Sequence, residues 1–377
     1  MKILYNIAGT YRSGGMERVL ANKANWLVQN GYEVVIVTTD QRNEPPFFPL
    51  DDKIICYDLG IGYEDNNGKS FINKLVYYPI KQYKHRKRLE ALLHKIKPDI
   101  TISMMCNDVS FLPSIKDGSK KILEIHFSKF KRLLYARKGL WRVADIYRNL
   151  QEEKQVRHFD RFVVLTEEDK EYWGNICNMQ VIPNARTYTF EKPAALVNKV
   201  VMAVGRYDYQ KGFDRLIDAW AIVCSKFVDW KLEIIGDGNL RSDMLKQIAS
   251  KGLNEQIILK RIPANEMKEA YMNASIFVLS SRYEGLPMVL LEAQAAGLPI
   301  VSFACKCGPK DVVKDGIDGY LVEEGDVNAL ASRLISLMDD EITRKKMGSV
   351  AFSSSDKYAE ERIMTQWTDL FDNLLKE

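Results

Sequence analysis

The regular alternation of short apolar runs with helical segments is the feature that most constrains the fold of this 377-residue chain. The apolar runs are continuous, which is typical of strands that are buried on both faces of a parallel sheet. Segments with helical spacing, such as 16–29 and 86–96, lie between them, so the repeating unit is strand–helix. Residues 183–198 interrupt the series with two prolines and no clear period.

The sequence therefore predicts an α/β protein with two Rossmann-like parallel-sheet domains, at 1–183 and 184–355. The predicted strands of the first domain are 2–7, 33–39, 53–57, 99–104, 121–126, 161–165 and 180–182. Those of the second domain are 200–204, 231–235, 256–259, 275–279, 300–303 and 320–322, with a helix at 213–227. The tail, 356–377, has helical spacing and no strand after it, and we expect this helix to dock on the first domain.

Composition excludes some classes of protein. The chain has no run of about 18 apolar residues, so no transmembrane helix is expected. Its first residues, Met1–Ala8, read as a strand and not as a signal peptide. Six scattered cysteines are typical of reduced thiols, so we expect a cytoplasmic protein. The close pair Cys305 and Cys307 lacks the second ligand pair of a zinc site, which favours a structural role.

Two glutamates, Glu284 and Glu292, stand out in the segment that begins at Ser281. Pro287 is well placed to open a helix, so Glu284 is predicted in the loop after a strand and Glu292 in the following helix. Ligands of open α/β sheets bind in that crevice, where carboxylates can accept hydrogen bonds from sugar hydroxyls. The spacing alone leaves an alternative open, in which both are ordinary surface charges.

A basic loop, 205–212, follows the first strand of the second domain. It carries Arg206 and Lys211, and Gly212 frees the backbone at the start of the next helix. Cations and free amides at a helix N-terminus suit a diphosphate, although an isolated basic loop is usually only solvated.

The first domain has a glycine loop after its first strand and a histidine at the end of a later one. Gly14 and Gly15 allow the backbone to approach a ligand closely, but their spacing does not match the dinucleotide-binding fingerprint. His126 is predicted to end the strand 121–126 and to face the crevice; a lone histidine is more often structural.

Together these segments resemble the family-4 glycosyltransferases, which are retaining enzymes with the GT-B fold. The second half matches through most of 199–325, at the Gly-Arg…Gln-Lys-Gly loop, Ile-Gly-Asp-Gly, the E-x7-E segment with its Ala-Gly-Leu-Pro ending, and the Gly308-Pro segment. The first half matches more loosely, through the loop Gly14-Gly15-Met-Glu-Arg18, His126 and Val-Ile-Pro-Asn184. The resemblance implies two Rossmann-like domains facing a central cleft.

The resemblance also implies roles for the matching residues. Arg206, Lys211, Glu284 and His126 are expected to be catalytic; the donor-binding residues are expected to be Gly14, Gly15, Arg206, Lys211, Glu284, Gly285, Leu286 and Glu292. Arg206 and Lys211 would hold the leaving diphosphate, Gly15 would approach the phosphates, Glu284 and His126 would lie near the donor sugar, and Glu292 would lie at the ribose diol. Lys260 and Arg261 stand where many relatives have glycine, at the border of the nucleotide base.

The implied activity is transfer of a hexosyl unit, with retention, from a nucleoside-diphosphate sugar to a glycan or lipid-linked acceptor. A UDP-sugar is the favoured donor, and bacterial surface polysaccharide synthesis the favoured process. No metal or bound cofactor is expected, because Arg206 and Lys211 would neutralise the charge on the leaving diphosphate. Our working hypothesis is that the leaving phosphate helps to deprotonate the acceptor.

The charge is unevenly distributed: residues 1–183 carry 29 Lys and Arg against 22 Asp and Glu, whereas the remainder is net acidic. Two basic, partly apolar stretches, 81–97 and 127–144, suit the surface of an anionic membrane. A solvated helix face explains them equally well. Nucleic acid is not an expected partner, because no recognisable binding module accompanies the charge.

The sequence leaves three alternative functions to be considered. One is a different GT-B enzyme, namely a nucleotide-sugar epimerase or a sugar phosphorylase, and another is a non-catalytic sugar-binding subunit. A dinucleotide-dependent dehydrogenase is disfavoured by the missing fingerprint.

Overall fold

A computed structural model describes residues 1–66, 71–131 and 139–377, without the side chains of residues 66, 71–75, 140 and 141. The chain divides into two compact units. Unit 1 comprises 1–165, 170–182 and 364–377, and unit 2 comprises 166–169 and 183–363.

Unit 1 contains, in its described part, a parallel sheet of seven strands in the order β3-β2-β1-β4-β5-β6-β7. The strands are β1 Lys2–Ile7, β2 Glu33–Thr38, β3 Ile55–Asp58, β4 Ile100–Ser103, β5 Lys120–Glu124, β6 Arg161–Val164 and β7 Met179–Val181. The helices are α1 Gly15–Gln29, α2 Phe71–Ile96, α3 Leu140–Gln155 and α4 Glu167–Trp173, the last of which begins in unit 2. Strands β1 and β4 are fully buried on both faces or nearly so, which explains their continuous apolar character.

Unit 2 contains, among its described residues, a parallel sheet of six strands in the order β10-β9-β8-β11-β12-β13. The strands are β8 Val200–Val204, β9 Lys231–Ile235, β10 Ile257–Lys260, β11 Ile276–Leu279, β12 Ile300–Phe303 and β13 Gly319–Val322. The helices are α5 Phe213–Val223, α6 Arg241–Ser250, α7 Met267–Asn273, α8 Met288–Ala295, α9 Pro309–Val312, α10 Val327–Asp339 and α11 Glu341–Ser354.

Each unit has its own core. In unit 2 the apolar face of α5 (Phe213, Leu216, Ile217, Trp220) is buried with residues of the sheet and of α10. In unit 1 the core includes Leu89 and Leu93 of α2 together with residues of β1, β2, β5 and β6. The last helix, α12 Glu360–Lys376, belongs to unit 1 from Met364 onward, and Trp367, Phe371 and Leu374 on it are buried.

All thirteen predicted strands are present, with ends within two residues of the predicted ones. One difference affects the site: β5 ends at Glu124, so His126 lies in the following loop and does not end the strand.

Two predicted helices differ in length. The helix α2 begins at residue 71 and not at 86, and it contains Pro79, a residue that usually ends a helix. The predicted helix 213–227 ends at Val223, because i→i+3 bonds such as Lys226 N to Val223 O (3.0 Å) tighten the chain there.

No helix in the described part of the chain combines the length and apolarity needed to cross a membrane.

Candidate active site

The clearest site geometry lies in unit 2, where the strand order reverses. Strand β8 pairs with β9 on one side and with β11 on the other, so their carboxyl ends flank a switch point. Open α/β sheets bind ligands at such points. The loop 205–212 follows β8 and the loop 280–287 follows β11, so the basic and acidic motifs meet at one edge of this sheet.

Lys211 and Glu284 form an ion pair between these loops. Lys211 Nζ lies 2.7 Å from Glu284 Oε1, and the two side chains are only 14% and 7% exposed. Gln210 donates to the other oxygen, Oε2, at 3.3 Å and to the Tyr283 carbonyl at 3.1 Å. Two predicted site residues that lie 73 positions apart in the sequence are therefore brought together, with an amide beside them.

The backbone of the basic loop is fixed by its glycine and by a local cap. Residues Tyr209–Lys211 form a short 3-10 turn, capped by the Asp208 carboxylate, which accepts from Lys211 N at 3.2 Å. Gly212 has φ +62°, and a Cβ there would lie 2.2 Å from the Ser280 carbonyl oxygen. Only glycine fits this close approach of the two loops.

Arg206 is arranged differently from Lys211. Its side chain is 69% exposed, and Nη2 lies 3.2 Å from Asp208 Oδ2, within the same loop. The two cations that were predicted as a pair are thus separated in the structure: one is buried against Glu284 and the other extends into solvent.

Gly285 and Leu286, the predicted donor-binding residues after Glu284, pack the acidic loop against the loop that follows β12. Leu286 is buried, and the Gly285 carbonyl faces Gly308, where a Cβ would lie only 2.7 Å from it. Gly308 has φ +94°, so this contact between the loops after β11 and β12 requires glycine.

Glu292 lies in α8 and is 5% exposed. The hydroxyl of Tyr271, from α7, donates to its Oε2 at 2.8 Å, so the carboxylate is held by a buried partner. Glu292 is therefore not an exposed helix charge, which was the alternative that its spacing left open.

Arg282 was missed by the sequence reasoning although it lies inside the acidic motif. Its guanidinium donates to both oxygens of Asp214 at 2.9 and 2.6 Å and to the Tyr209 carbonyl at 2.7 Å, and it covers the Tyr209 ring at 4.1 Å. Burial alone would raise the pKa of Asp214, but Arg282 outweighs that effect and lowers it. An arginine two residues before Glu284 was the available signal.

The remaining predicted residues belong to unit 1. Gly15 is the first residue of α1 and Gly14 is its N-cap, and the carboxylate of Glu17 in the first turn folds back to within 2.1 Å of where a Cβ on Gly14 would lie. His126 lies two residues beyond β5, and its Nε2 is 3.1 Å from Glu124 Oε1, with the ring N–H not aimed squarely at the oxygen. Glu124 was not predicted either.

Asp108 is a further buried acid at the switch point of unit 1, between β1 and β4. It accepts from Asn6 at 2.6 Å and from Ser103 at 2.7 Å, and burial raises its pKa to about 6. Because it is fully buried, we assign it to the support of the loop after β4.

All six cysteines are free, and Cys305 and Cys307 are buried in unit 2. Burial raises the pKa of the Cys305 thiol well above its usual value, and Glu284 raises it further. Among the described residues, no group of three or more His, Cys, Asp or Glu side chains is arranged to hold a metal ion.

The chain has two parallel α/β sheets, and unit 2 brings a basic and an acidic loop together at its switch point. This architecture is that of the GT-B fold class, and a solved structure supports the assignment. The crystal structure of a mutant of S. aureus TarM in complex with fondaparinux, alpha-GlcNAc-glycerol and UDP aligns with a TM-score of 0.75 and 17% identity. The alignment covers 98% of this chain and 99% of that one.

Sequence comparison identifies the family. Residues 13–186 match Glycosyltransferase Family 4, and residues 185–353 match Glycosyl transferases group 1. An uncharacterized glycosyltransferase of Haemophilus influenzae is 31% identical over 374 residues, which cover 97% of this chain and 98% of the relative. The amylovoran biosynthesis glycosyltransferase AmsD of Erwinia amylovora is 28% identical, with 98% and 99% covered. The chain therefore belongs to the family-4 glycosyltransferases, as its motifs indicated.

Proposed function

We propose that this glycosyltransferase moves a hexosyl unit from a nucleoside-diphosphate sugar, preferably a UDP-sugar, to a glycan or lipid-linked acceptor, with retention at the anomeric carbon. The observation that carries the proposal is the ion pair between Lys211 and Glu284 at the switch point of unit 2. It offers a cation for a diphosphate and a carboxylate for sugar hydroxyls within one hydrogen-bonded group. TarM, whose structure contains UDP, shares the fold and supports this donor class.

The role of each side chain follows from its position. Lys211 would exchange part of its contact with Glu284 for the donor phosphates, and the exposed Arg206 would fold over them. The freed oxygen of Glu284 would accept hydrogen bonds from the sugar, while Glu292, held by Tyr271, would accept from the ribose diol. The positive charges would stabilise the diphosphate as it leaves, without a metal ion.

The chemical step of the proposal uses the leaving group as the base. The bond between the anomeric carbon and the phosphate oxygen breaks, and the acceptor oxygen bonds to the same face of that carbon. The acceptor proton passes to the departing phosphate oxygen, so no protein nucleophile or base is needed. By their resemblance to the family motifs, Gly14, Gly15 and His126 are proposed to contact the same donor.

The first experiment screens nucleoside diphosphates and nucleotide sugars by thermal shift. A ligand at about 100 times its Kd should stabilise the folded protein by about 2.7 kcal/mol. With the best donor, nucleoside diphosphate should appear only when acceptor is present, which separates transfer from epimerase or phosphorylase activity. The anomeric proton coupling of the product reports retention, and activity should persist in EDTA.

Lys211→Ala tests the leaving-group role. We expect kcat to fall by about 10²–10³, the usual cost of removing one preorganised charge stabiliser. The matched control is Lys226→Ala, which removes an exposed lysine of the same unit, 2.8 Å from Asp339. Near-normal kcat in Lys211→Ala would exclude the role.

The acceptor proposal includes contact with an anionic membrane. On α3 the side chains Val143, Ile146, Tyr147 and Leu150 are 44–64% exposed and share one face at helical spacing. Arg142 and Arg148 on the same helix are also exposed. An apolar stripe flanked by cations suits the headgroup boundary of a bilayer.

The two predicted basic stretches contribute unequally to this surface. In 81–97, Lys81 and Arg88 donate to backbone carbonyls of residues 59–62, so they are partly engaged within unit 1. In 127–144, Lys129 bonds Glu153 and the Tyr172 carbonyl. Residues 132–138 of that stretch, with Arg132, Arg137 and Lys138, lie outside the described residues.

Co-sedimentation with vesicles tests the membrane contact. Binding should increase with the fraction of anionic lipid, fall with salt and weaken in Val143→Asp. Leu245→Asp, at an exposed apolar position of unit 2 (48%), is the matched control. Vesicle binding that changes neither with salt nor in Val143→Asp would refute the proposal.

A further inference from the structure

A second lysine–carboxylate pair lies in unit 1, next to His126. Glu124, the last residue of β5, is fully buried, and its oxygens lie 2.9 and 2.7 Å from Lys23 Nζ. Lys23 comes from the middle of α1 and is 5% exposed. His126 Nε2 lies 3.1 Å from Glu124 Oε1, with its N–H bent away from that oxygen, so one carboxylate is bonded to a helix cation and lies beside the imidazole ring.

The C-terminal helix covers the other side of this lysine. The Trp367 ring on α12 is 1% exposed, and its centroid is 3.4 Å from Lys23 Nζ. The Tyr5 ring of β1 is 5.5 Å away, so Lys23 is held between a carboxylate and aromatic faces. Residues far apart in the sequence thus build one buried charged site.

The charged groups of this site shift one another's pKa. Burial alone would raise the pKa of Glu124, but Lys23 and then His126 lower it to about 2. Burial lowers the pKa of Lys23, although Glu124 opposes the shift. A buried ion pair seldom stabilises a fold more than apolar side chains of the same volume, so its place beside His126 calls for another explanation.

We propose that Glu124 is a positioning residue, which Lys23 and Trp367 hold in place and which fixes the orientation and tautomer of the His126 ring. With the proton on Nε2, next to the carboxylate, Nδ1 is left as an acceptor for a sugar hydroxyl. The proposal rests on the proposed function, in which His126 contacts the donor. Glu124 is fully buried and acts only through His126.

Glu124→Gln keeps the shape of the side chain and removes its charge. We expect kcat to fall by about 10- to 100-fold with the donor KM little changed, because misplacement of a positioned group costs that much. In a His126→Ala background the same substitution should cause no further loss. An equal loss in both backgrounds would show that Glu124 does not act through His126, and unchanged kcat in Glu124→Gln would also overturn the proposal.

The double variant Glu124→Gln with Lys23→Met distinguishes a positioning role of Glu124 in catalysis from a role in protein stability alone. It leaves neither partner charged and unpaired, so its melting temperature should exceed that of Lys23→Met alone. Its kcat should remain low. Recovery of wild-type kcat in this neutral pair would show that the network is only structural.

Lys121→Met is the matched control. Lys121, on the same strand, pairs with Asp117, and the two side chains are 5% and 0% exposed. Loss of this buried pair should lower the melting temperature and leave kcat unchanged. If Lys121→Met lowers kcat as much as Glu124→Gln does, the loss of kcat is a consequence of lower protein stability, and the proposal fails.

A readout without turnover distinguishes this proposal from the proposed function. Two-bond 15N–1H correlation spectra report the tautomer of each of the four histidines, and His126→Ala assigns the signal of His126. We expect the Nε2–H tautomer in the wild type and loss of that preference in Glu124→Gln. If the tautomer changes but no donor is turned over, the proposed function fails and the positioning role stands. An unchanged tautomer refutes the positioning role whatever the activity.

Discussion

Arg282 offers the sharpest test of how the candidate site of unit 2 is held together. Its guanidinium binds Asp214 through both carboxylate oxygens and also the Tyr209 carbonyl, and so connects the acidic loop to the basic loop. The backbone amide of Arg282 adds a bond to the Gln210 carbonyl at 2.8 Å. Arg282→Met removes the side-chain contacts and retains much of the apolar stem.

The expected loss of stability is about 2–3 kcal/mol. The hydrogen bond from the charged guanidinium to the Tyr209 carbonyl contributes about 1.5 kcal/mol. The ion pair contributes less than about 1 kcal/mol, because Asp214 is half exposed. The contact with the exposed Tyr209 ring contributes about 0.5 kcal/mol. For a unit of this size the melting temperature should fall by about 4–12 °C.

The effect on the site should exceed the effect on stability. Without the Arg282 side chain the basic loop keeps its bonds through Gln210 and Lys211 but is held less firmly against the acidic loop, so Lys211 should more often sample positions that do not suit a diphosphate. We expect kcat/KM for the donor to fall at least about tenfold, and the thermal shift with nucleoside diphosphate to shrink. Arg282→Lys should lie between the wild type and Arg282→Met, because an ammonium cannot form the forked contact.

Arg215→Met is the control for this experiment. Arg215 lies on α5 beside Asp214 and pairs with Glu324, and the two side chains are 28% and 37% exposed. It should lose less than about 1 kcal/mol and keep full activity. If Arg282→Met behaves like Arg215→Met in both assays, the proposed fixing of the loops by Arg282 is wrong.

Three other perturbations test single features. Burial lowers the pKa of His85 to about 4, so as pH falls from 6.5 through 4 the unfolded state takes up a proton that the folded state does not. The wild type should lose about 3 kcal/mol of unfolding free energy over that pH range through His85, and His85→Phe should not show this loss. Urea unfolding of both proteins across the range measures it, and an equal pH dependence of their unfolding free energies would contradict the prediction. Gly212→Ala should force Ser280 away and lower kcat/KM more than tenfold, about the cost of misplacing a catalytic group, and normal kinetics would refute the close approach. Tyr271→Phe should cost about 1–3 kcal/mol in urea unfolding, because it leaves the buried Glu292 oxygen without this donor; an unchanged midpoint would show that another group replaces it.

The strands were predictable because a strand that is buried on both faces needs apolar residues at consecutive positions, a pattern that is visible in the sequence. Strands such as β4, with all four residues buried, must be apolar or satisfy their side chains internally. The start of α2 was not predictable in the same way. Proline lacks the amide that a helix interior uses, so Pro79 argues against a helix that nonetheless continues through it.

The motifs of the site were visible in the sequence, but their side-chain pairing was not. Arg206 and Lys211 share one loop, which suggested a joint role, yet Lys211 pairs with Glu284, 73 residues away, and Arg206 stays in its own loop. The pairing of Lys23 with Glu124 spans 101 residues. The one local signal for it was a lysine on the apolar face of α1, between Leu20 and Leu27. Such a residue must find a buried partner, but the sequence does not say which.

The two lysine–carboxylate pairs differ in a way that fits different duties. The side chains of Lys211 and Glu284 are 14% and 7% exposed, and both residues lie in loops that follow strands at a switch point. A ligand can therefore reach the pair and replace the contact of either side chain with the other. Lys23 and Glu124 are buried beneath the Trp367 ring, and the lysine already binds both carboxylate oxygens. A pair that must exchange partners cannot be sealed, because breaking it would leave a charge buried without compensation. A pair that only holds a ring in place is best sealed, since water would compete for the same contacts. The first arrangement therefore suits binding and the second suits positioning.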